Sequence, residues 1–308
     1  MKEKILVVGG TGFIGYHLIK KLKQKRYIIH SISKKKPKKD RYISGIKYHL
    51  VDISNFKKLK LLIENIDFSF VINLGGYVDH SDIKKTYNSH FKGCKNLTTI
   101  FLKSKIKSFI QMGSSGEYGN SKSPHSEYKK SNPVTIYNRS KKLATNFLID
   151  LYKKKKFPVT ILRLYLSYGP NQDNNRFIPI VINNCLKKKE FPLSHCEQYR
   201  DFIYIDDVVN ALICSIDNHE AVGQIINIGT GKPIKLKKII NRIKNYINGG
   251  KPLFGLVKLR KDESLRIYPN IFKAKKILSW KPRVSFEKGL IKTINYYKRK
   301  NYLKKFDY

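Results

Sequence analysis

Hydrophobic residues along this chain follow two alternating patterns. Short consecutive apolar runs, rich in β-branched residues, occupy 4–8, 27–32, 46–51, 68–74, 108–112 and 159–164. Between them, 13–22, 56–63, 83–102 and 141–152 space their apolar residues as one face of a helix. Buried strands separated by amphipathic helices predict right-handed βαβ units on a parallel sheet. After Gly169 and Pro170 the pattern loosens into shorter helices and more loop, with no internal repeat and no Gly-, Pro- or Ser-rich linker. The expectation is an α/β protein with a Rossmann doubly wound parallel sheet over 1–165, to which 199–227 returns. A smaller C-terminal lobe over 166–308 would bind substrate.

Composition narrows the class. An apolar share of 41% and an aromatic share of 12% over 308 residues can fill an interior, and exceed what a disordered chain carries. No apolar run reaches the length of a membrane span. The run at 5–8 stops at Gly9, too short for the core of a signal peptide. Four cysteines (Cys94, Cys185, Cys196 and Cys214) lie far apart, without a C-x-x-C pair or a nearby His cluster. That argues against a metal site or a disulfide framework and fits a reducing cytoplasm.

Charge is the unusual quantity: 63 Lys and Arg against 22 Asp and Glu leave a formal +41. Such a balance attracts polyanions. These lysines, however, are scattered along the whole chain rather than gathered into one arm with interleaved aromatics. The chain is also heavy in Ile, Asn, Tyr and Phe, residues of A/T-rich codons. The excess therefore reads as a solvated lysine coat, and no nucleic-acid partner is expected.

Chemistry begins at Gly9-Gly10-Thr11-Gly12-Phe13-Ile14-Gly15, between the first strand and the first helix. Glycines there permit a tight turn and close approach of a pyrophosphate to a helix N-terminus. In this strand–helix context the motif predicts a dinucleotide site. An acidic residue at the end of the second strand would hold the ribose of NAD. This chain has Ser33 and Lys34 instead, which suit the 2′-phosphate of NADP, with NAD as the alternative.

Tyr137 and Lys141 stand four residues apart at the head of a long helix, a spacing that puts both on one face. An ammonium beside a phenol favours the phenolate and eases proton exchange with a sugar hydroxyl or carbonyl. Ser114 lies at the carboxyl end of the fifth predicted strand, where the switch-point crevice should open. Its hydroxyl can hydrogen-bond the reacting oxygen beside the phenol.

Together, the glycine loop, the Met112-Gly113-Ser114-Ser115-Gly116-Glu117-Tyr118-Gly119 segment and the Tyr137/Lys141 pair resemble the extended short-chain dehydrogenase/reductases acting on nucleotide sugars. The resemblance runs almost end to end. It includes Asp52-Ile53, Asn73-Leu74-Gly75-Gly76, the Arg200-Asp201-Phe202 block, Asn227-Ile228-Gly229-Thr230-Gly231 and Trp280-Lys281-Pro282. It implies that Asp52 and Ile53 contact adenine and that Leu74, Gly75 and Gly76 line the cofactor. It further implies that Tyr137, Lys141 and Ser114 are catalytic, and that Ser115, Asn175, Arg176, Arg200 and Arg260 meet a nucleoside-diphosphate sugar. A cytoplasmic homodimer is also implied. The helices over 83–102 and 141–152 carry apolar residues beyond one stripe (Phe91, Leu97, Phe101, Phe147, Leu148 and Leu151), which would pair across a two-fold axis.

Within that family, dehydratases place an acid and a base after the catalytic hydroxyl. Anchored on Tyr118 and Gly119, those positions here are Ser115 and Gly116. Glu117 is one place further on and, in an extended segment, would point to the opposite face. Net reduction of a keto sugar, or transient oxidation in a C4-epimerase, is then expected. The segment around Asn175 and Arg176 is similar to that of 4-keto-sugar reductases such as CDP-abequose synthase, which implies a role in surface polysaccharide biosynthesis. Two positions depart from the family pattern: His90 replaces a common Asn and is read as a structural substitute, and Leu166 replaces an Asn that touches the sugar diphosphate. His80, His125 and His195 are read as ordinary surface or loop residues. A non-catalytic dinucleotide sensor is the reading from another class, but such relatives lose the Tyr-Lys pair.

Overall fold

The apolar runs become strands, and the stretches between them become helices against the strands' two faces. In the computed structural model, which describes residues 2–25, 27–77, 81–259 and 263–303, β1 (Lys4–Val8) leads into α1 (Phe13–Leu22). There follow β2 (Ile28–Ser33), β3 (Lys47–Leu50), α2 (Phe56–Ile63), β4 (Phe70–Asn73), α3 (Ile83–Tyr87) and α4 (Gly93–Phe101). The first half ends with β5 (Ser108–Ser114), α5 (Ile136–Lys155) and β6 (Val159–Leu164). The remainder is more broken: β7 (Leu166–Tyr168), α6 (Phe177–Leu186), β8 (Glu190–Pro192), β9 (Tyr199–Arg200), β10 (Phe202–Tyr204), α7 (Ile205–Ser215) and β11 (Ile225–Ile228). Last come β12 (Ile234–Lys235), α8 (Leu236–Ile247), β13 (Lys251–Leu253), β14 (Arg266–Ile267), α9 (Phe272–Leu278) and α10 (Phe286–Leu303).

Seven strands pair in parallel in the order β11-β6-β5-β4-β1-β2-β3. The chain winds outward from β1 in one direction, then returns and winds in the other, so a crevice opens at the carboxyl ends of β1 and β4. The two-residue period of β1 sends Ile5 and Val7 into one core and Leu6 and Val8 into the other. The sheet is thus buried on both faces, as a parallel sheet requires.

Residues 199–227 divide between two places. Helix α7 packs on α1 and β11 adds the edge strand, while β9 pairs with β12 and β14, and β10 with β7. Asp201 separates β9 from β10, its carboxylate accepting from the Thr230 backbone N–H and hydroxyl at 2.8 Å each.

Two expectations need correction. The helix read over 83–102 is interrupted by a π-turn at Asn88–Lys92, a widened turn of the kind found at functional sites. Of the apolar residues set aside for a dimer face, Leu97, Phe101 and Leu148 are 0–2% exposed and belong to the core. Phe91, Phe147 and Leu151 are partly buried against it. Leu97, Phe101 and Leu148 thus leave the expected face, while Phe91, Phe147 and Leu151 stay part-exposed on it. Among the described residues, no helix is long and apolar enough to cross a membrane.

Candidate functional site

The glycine loop is shaped by contacts that exclude side chains. Gly9 has φ +80°, and a Cβ there would stand 3.0 Å from the Leu74 carbonyl. At Gly15 a Cβ would lie 2.2 Å from the Gly9 carbonyl oxygen, so α1 rests directly on the loop. Gly12 caps α1 with no side-chain hydrogen bond, and the first turn carries no acid. The helix therefore presents its N-terminal backbone N–H groups and positive dipole end to an incoming anion. This cradle fits a dinucleotide pyrophosphate.

A cavity of about 960 Å³ runs from this loop across the carboxyl ends of the strands. It brings together Gly9, Thr11, Gly12, Phe13, Ile14, Gly15, Ser33, Lys34, Asp52, Ile53, Leu74, Gly75 and Gly76. At its far end it reaches Ser114, Ser115, Tyr137, Lys141, Asn175 and Arg176. Arg200 does not line this cavity. Its guanidinium donates to the Tyr199 carbonyl at 2.8 Å, the Leu265 carbonyl at 3.4 Å and Glu263 Oε1 at 2.8 Å. Arg260 and His80 lie outside the described residues.

The side chains expected to be catalytic are set by helix and strand ends. Thr135 caps α5 by accepting from the Asn138 N–H at 3.2 Å, which puts Tyr137 and Lys141 on the first turns, facing the cavity. Lys141 is buried and donates to the Met112 carbonyl at 2.7 Å. Ser114 ends β5; its oxygen accepts from the Gly116 N–H at 3.1 Å, leaving the hydroxyl proton available to a ligand oxygen. The segment that follows is a 3₁₀ turn, Ser115–Tyr118, rather than extended chain.

Glu117 nevertheless points away from the cavity. Its Oε1 accepts from the Ser114 N–H at 2.9 Å, and its Oε2 accepts from Thr145 Oγ1 at 2.8 Å and Arg163 Nε at 2.9 Å. Both Glu117 and Arg163 are within 1% of complete burial. This carboxylate is consumed by structure.

At the opposite end, Ser33 Oγ accepts from the Thr11 N–H at 3.4 Å, and Lys34 pairs with Asp52 at 2.7 Å. Burial pushes the Asp52 carboxyl up, but the Lys34 contact and two Ser54 hydrogen bonds outweigh it and hold the group below its usual range. Lys35, next in the same run of cations, also lines the cavity.

Other cavity residues lie outside the expected site set, among them His90, Leu166 and Tyr165. His90, on the π-turn, meets the Tyr137 ring edge-on with centroids 4.9 Å apart, and Nε2 lies 3.3 Å from the Tyr77 carbonyl oxygen. Its replacement of Asn was the only signal. Leu166 also lines the wall, 44% exposed. Tyr165 lines it too and is tied to His125 Nδ1 at 2.9 Å. His125, expected as an ordinary surface or loop residue, is 1% exposed; Nε2 reaches the Ser121 carbonyl at 2.9 Å, and burial lowers its pKa. One histidine in a polar loop has no periodic neighbours to announce its burial. His195 is exposed, as expected. Among the described residues, no group of three or more His, Cys, Asp or Glu could hold a metal.

Residues 5–229 match the NAD dependent epimerase/dehydratase family. The chain belongs to that family. Its relatives carry out different reactions. It is 30% identical to dTDP-D-glucose 4,6-dehydratase of Mus musculus, over 97% of this chain and 90% of the relative. It is 28% identical to dTDP-4-dehydro-6-deoxyglucose reductase of Escherichia coli, over 95% of this chain and 97% of the relative. The fold matches UDP-glucuronic acid 4-epimerase of Bacillus cereus, solved with UDP-glucuronic acid and NAD, at a TM-score of 0.86 and 24% identity, covering 96% of this chain and 99% of that one. In this epimerase/dehydratase family member the remaining landmarks act as struts: Trp280 Nε1 donates to the Asp207 carbonyl at 3.1 Å, and the Asp207 carboxylate accepts from the Arg283 and Val284 N–H groups at 2.9 and 3.0 Å.

Proposed function

We propose that this protein reduces the C4 keto group of a nucleoside-diphosphate-4-keto sugar with NADPH, in the cytoplasm and for surface polysaccharide biosynthesis. The observation that carries the choice is the fate of the carboxylate. Ser115 and Gly116 occupy the dehydratase acid and base positions, and Glu117 is locked to Arg163, Thr145 and the Ser114 N–H. Elimination of water lacks its acid–base pair, whereas hydride transfer needs only the hydroxyl, phenol and ammonium that line the cavity.

The glycine loop and residues 74–76 would hold the dinucleotide, with Ser33, Lys34 and Lys35 at its adenosine end. Bound there, a reduced nicotinamide supplies hydride to the keto carbon. Tyr137 gives its proton to the developing alkoxide, and Ser114 donates to the same oxygen, stabilising charge as it forms. Lys141, held by the Met112 carbonyl, stabilises the phenolate left behind. Asn175 and Arg176 meet the nucleotide sugar from the lobe side, and Arg200 meets its diphosphate once released from Glu263. Two copies would pair through α3 and α5, which leave Ile83 and Leu143 exposed at 65% and 44%; light scattering at micromolar concentration tests this.

Net reduction accords with the E. coli reductase relative. The NAD-containing epimerase neighbour supports a second reading, C4 epimerisation on retained NAD. NADPH oxidation at 340 nm against CDP-, GDP-, UDP- and dTDP-4-keto sugars distinguishes them. The proposal expects consumption with at least one sugar; interconversion of C4 epimers without consumption supports the alternative.

A further inference from the structure

His90 stands where three parts of the cavity meet. It is 4% exposed and lines the cavity together with Gly76, Ser89, Ser114, Tyr137 and Lys141. The π-turn at Asn88–Lys92 carries it, and that stretch is tied down in two directions. Toward the sheet, Asn96 Nδ2 of α4 donates to the Ile53 carbonyl at 2.9 Å. Toward α5, Phe91 meets the Phe147 ring at 6.1 Å between centroids and an interplanar angle of 90°. The turn is thus held in register against the helix that bears Tyr137.

Within that frame the His90 ring has little room. A Cβ at Gly76 would stand 2.3 Å from its Cε1 and 3.0 Å from its Nδ1, so the ring lies directly on the Gly76 backbone. Nε2 is 3.3 Å from the Tyr77 carbonyl oxygen, which can only accept, so Nε2 carries the proton in that contact. The same ring meets the Tyr137 ring at 4.9 Å and 78°, a geometry that aromatic pairs prefer. Tyr137 needs such a neighbour. A helical side chain leans back over the turn before its own, and Tyr137, second residue of α5, has no earlier turn to lean on.

We propose that His90 is a positioning residue for Tyr137: its ring, seated on the 76–77 backbone, fixes the angle at which the phenol meets the reacting oxygen. His90 does not exchange the proton itself. A misplacement of about 1 Å can cost about a hundredfold in rate, so the placement matters to turnover rather than to binding. A flat ring at position 90 is the essential feature, and the imidazole nitrogens only seat it. The proposal rests on Tyr137 being the proton donor and is independent of which sugar is processed.

The test compares His90→Phe, which keeps a flat ring without nitrogens, with His90→Asn, which keeps a polar group without a ring. Each is measured for kcat and sugar KM by NADPH oxidation at 340 nm, for NADPH Kd by fluorescence titration, and for thermal midpoint. His90→Asn should lower kcat by about tenfold or more with sugar KM and NADPH Kd within about twofold of wild type, and His90→Phe should keep kcat within about threefold. His90→Leu, which fills the space without a flat ring, should be as slow as His90→Asn and replaces it if that variant does not fold. Wild-type kcat in His90→Asn, an equal loss in the Phe and Asn variants, or a weakened NADPH Kd that accounts for the loss overturns the positioning role. Tyr137→Phe, run alongside, separates this from the reading beneath it. A slow Tyr137→Phe with a fast His90→Asn overturns the proposal alone, whereas a fast Tyr137→Phe removes the proton donor and the proposal with it. Where wild type interconverts C4 epimers without consuming NADPH, the same comparison is read in that rate; neither activity in wild type overturns both.

Discussion

The two walls of the cavity are built from different materials. The cofactor wall is mostly backbone: a glycine turn, an uncapped helix N-terminus and strand ends in a fixed parallel register. The lobe wall is side chains on short, irregular segments: Asn175 and Arg176 ahead of α6 and Leu166 on β7, with Arg200 outside the cavity and turned toward Glu263. Backbone recognition depends on geometry that a sheet imposes, so it tolerates few substitutions and serves one ligand shape. Side-chain recognition can be rewritten one residue at a time. The chain's relatives bear the names of a dehydratase, a reductase and an epimerase.

The largest expected effect lies where the walls meet. Tyr137→Phe should lower turnover by about 10²- to 10⁴-fold, typical of a lost general acid, while NADPH titration shows unchanged binding. A parallel loss of binding would mean that Tyr137 serves the cofactor wall instead.

Glu117→Gln tests whether that carboxylate is structural. It leaves Arg163 buried without its charge partner, and should cost about 3–5 kcal/mol in urea unfolding, as other broken buried pairs do. A stable but inactive variant would return Glu117 to the chemistry.

Ser33→Asp and Arg176→Ala then separate the walls. Placing a carboxylate beside the 2′-phosphate should shift the NADPH-to-NADH preference by roughly 10- to 100-fold toward NADH, without changing KM for the sugar. Arg176→Ala should do the reverse, raising the sugar KM by roughly tenfold or more at constant cofactor Kd. If each variant moved both quantities, the two walls would not be separable.

The smallest effect concerns the sheet away from the cavity. His30 of β2 lies with Nδ1 3.0 Å from Nε2 of His49, and burial, then His49 and Lys47, push its pKa from 6.5 down to about 4. The unfolded chain therefore takes up the proton first. This contribution is complete above about pH 6.5 and is lost progressively as pH falls toward 4. His30→Gln should flatten the fall in thermal midpoint between pH 7 and 4.5; an equally steep fall would assign acid sensitivity elsewhere.

The same division decides what could be read from the chain. Strand runs, the glycine loop and the Tyr137/Lys141 spacing are local and periodic, so they were legible, and the cavity gathers those residues. The π-turn at Asn88–Lys92 was not, because one extra residue in a helical turn leaves the apolar spacing almost intact. The burial of His125 against Tyr165 and the Arg41–Asp173 pairing were also hidden, since each joins loop residues far apart in sequence. Glu117 was assigned away from the cavity on the assumption of extended chain. The structure reaches that result through a 3₁₀ turn and a buried Arg163.

One measurement bears most directly on the reaction. Purified protein, freed of bound nucleotide, is mixed with a nucleoside-diphosphate-4-keto sugar and a limiting, known amount of NADPH, and both the loss of absorbance at 340 nm and the sugar alcohol formed are counted. Net reduction predicts one alcohol for each NADPH oxidised, and none with Tyr137→Phe in the same time. Protein that retains NAD and interconverts C4 epimers with no change at 340 nm would contradict it.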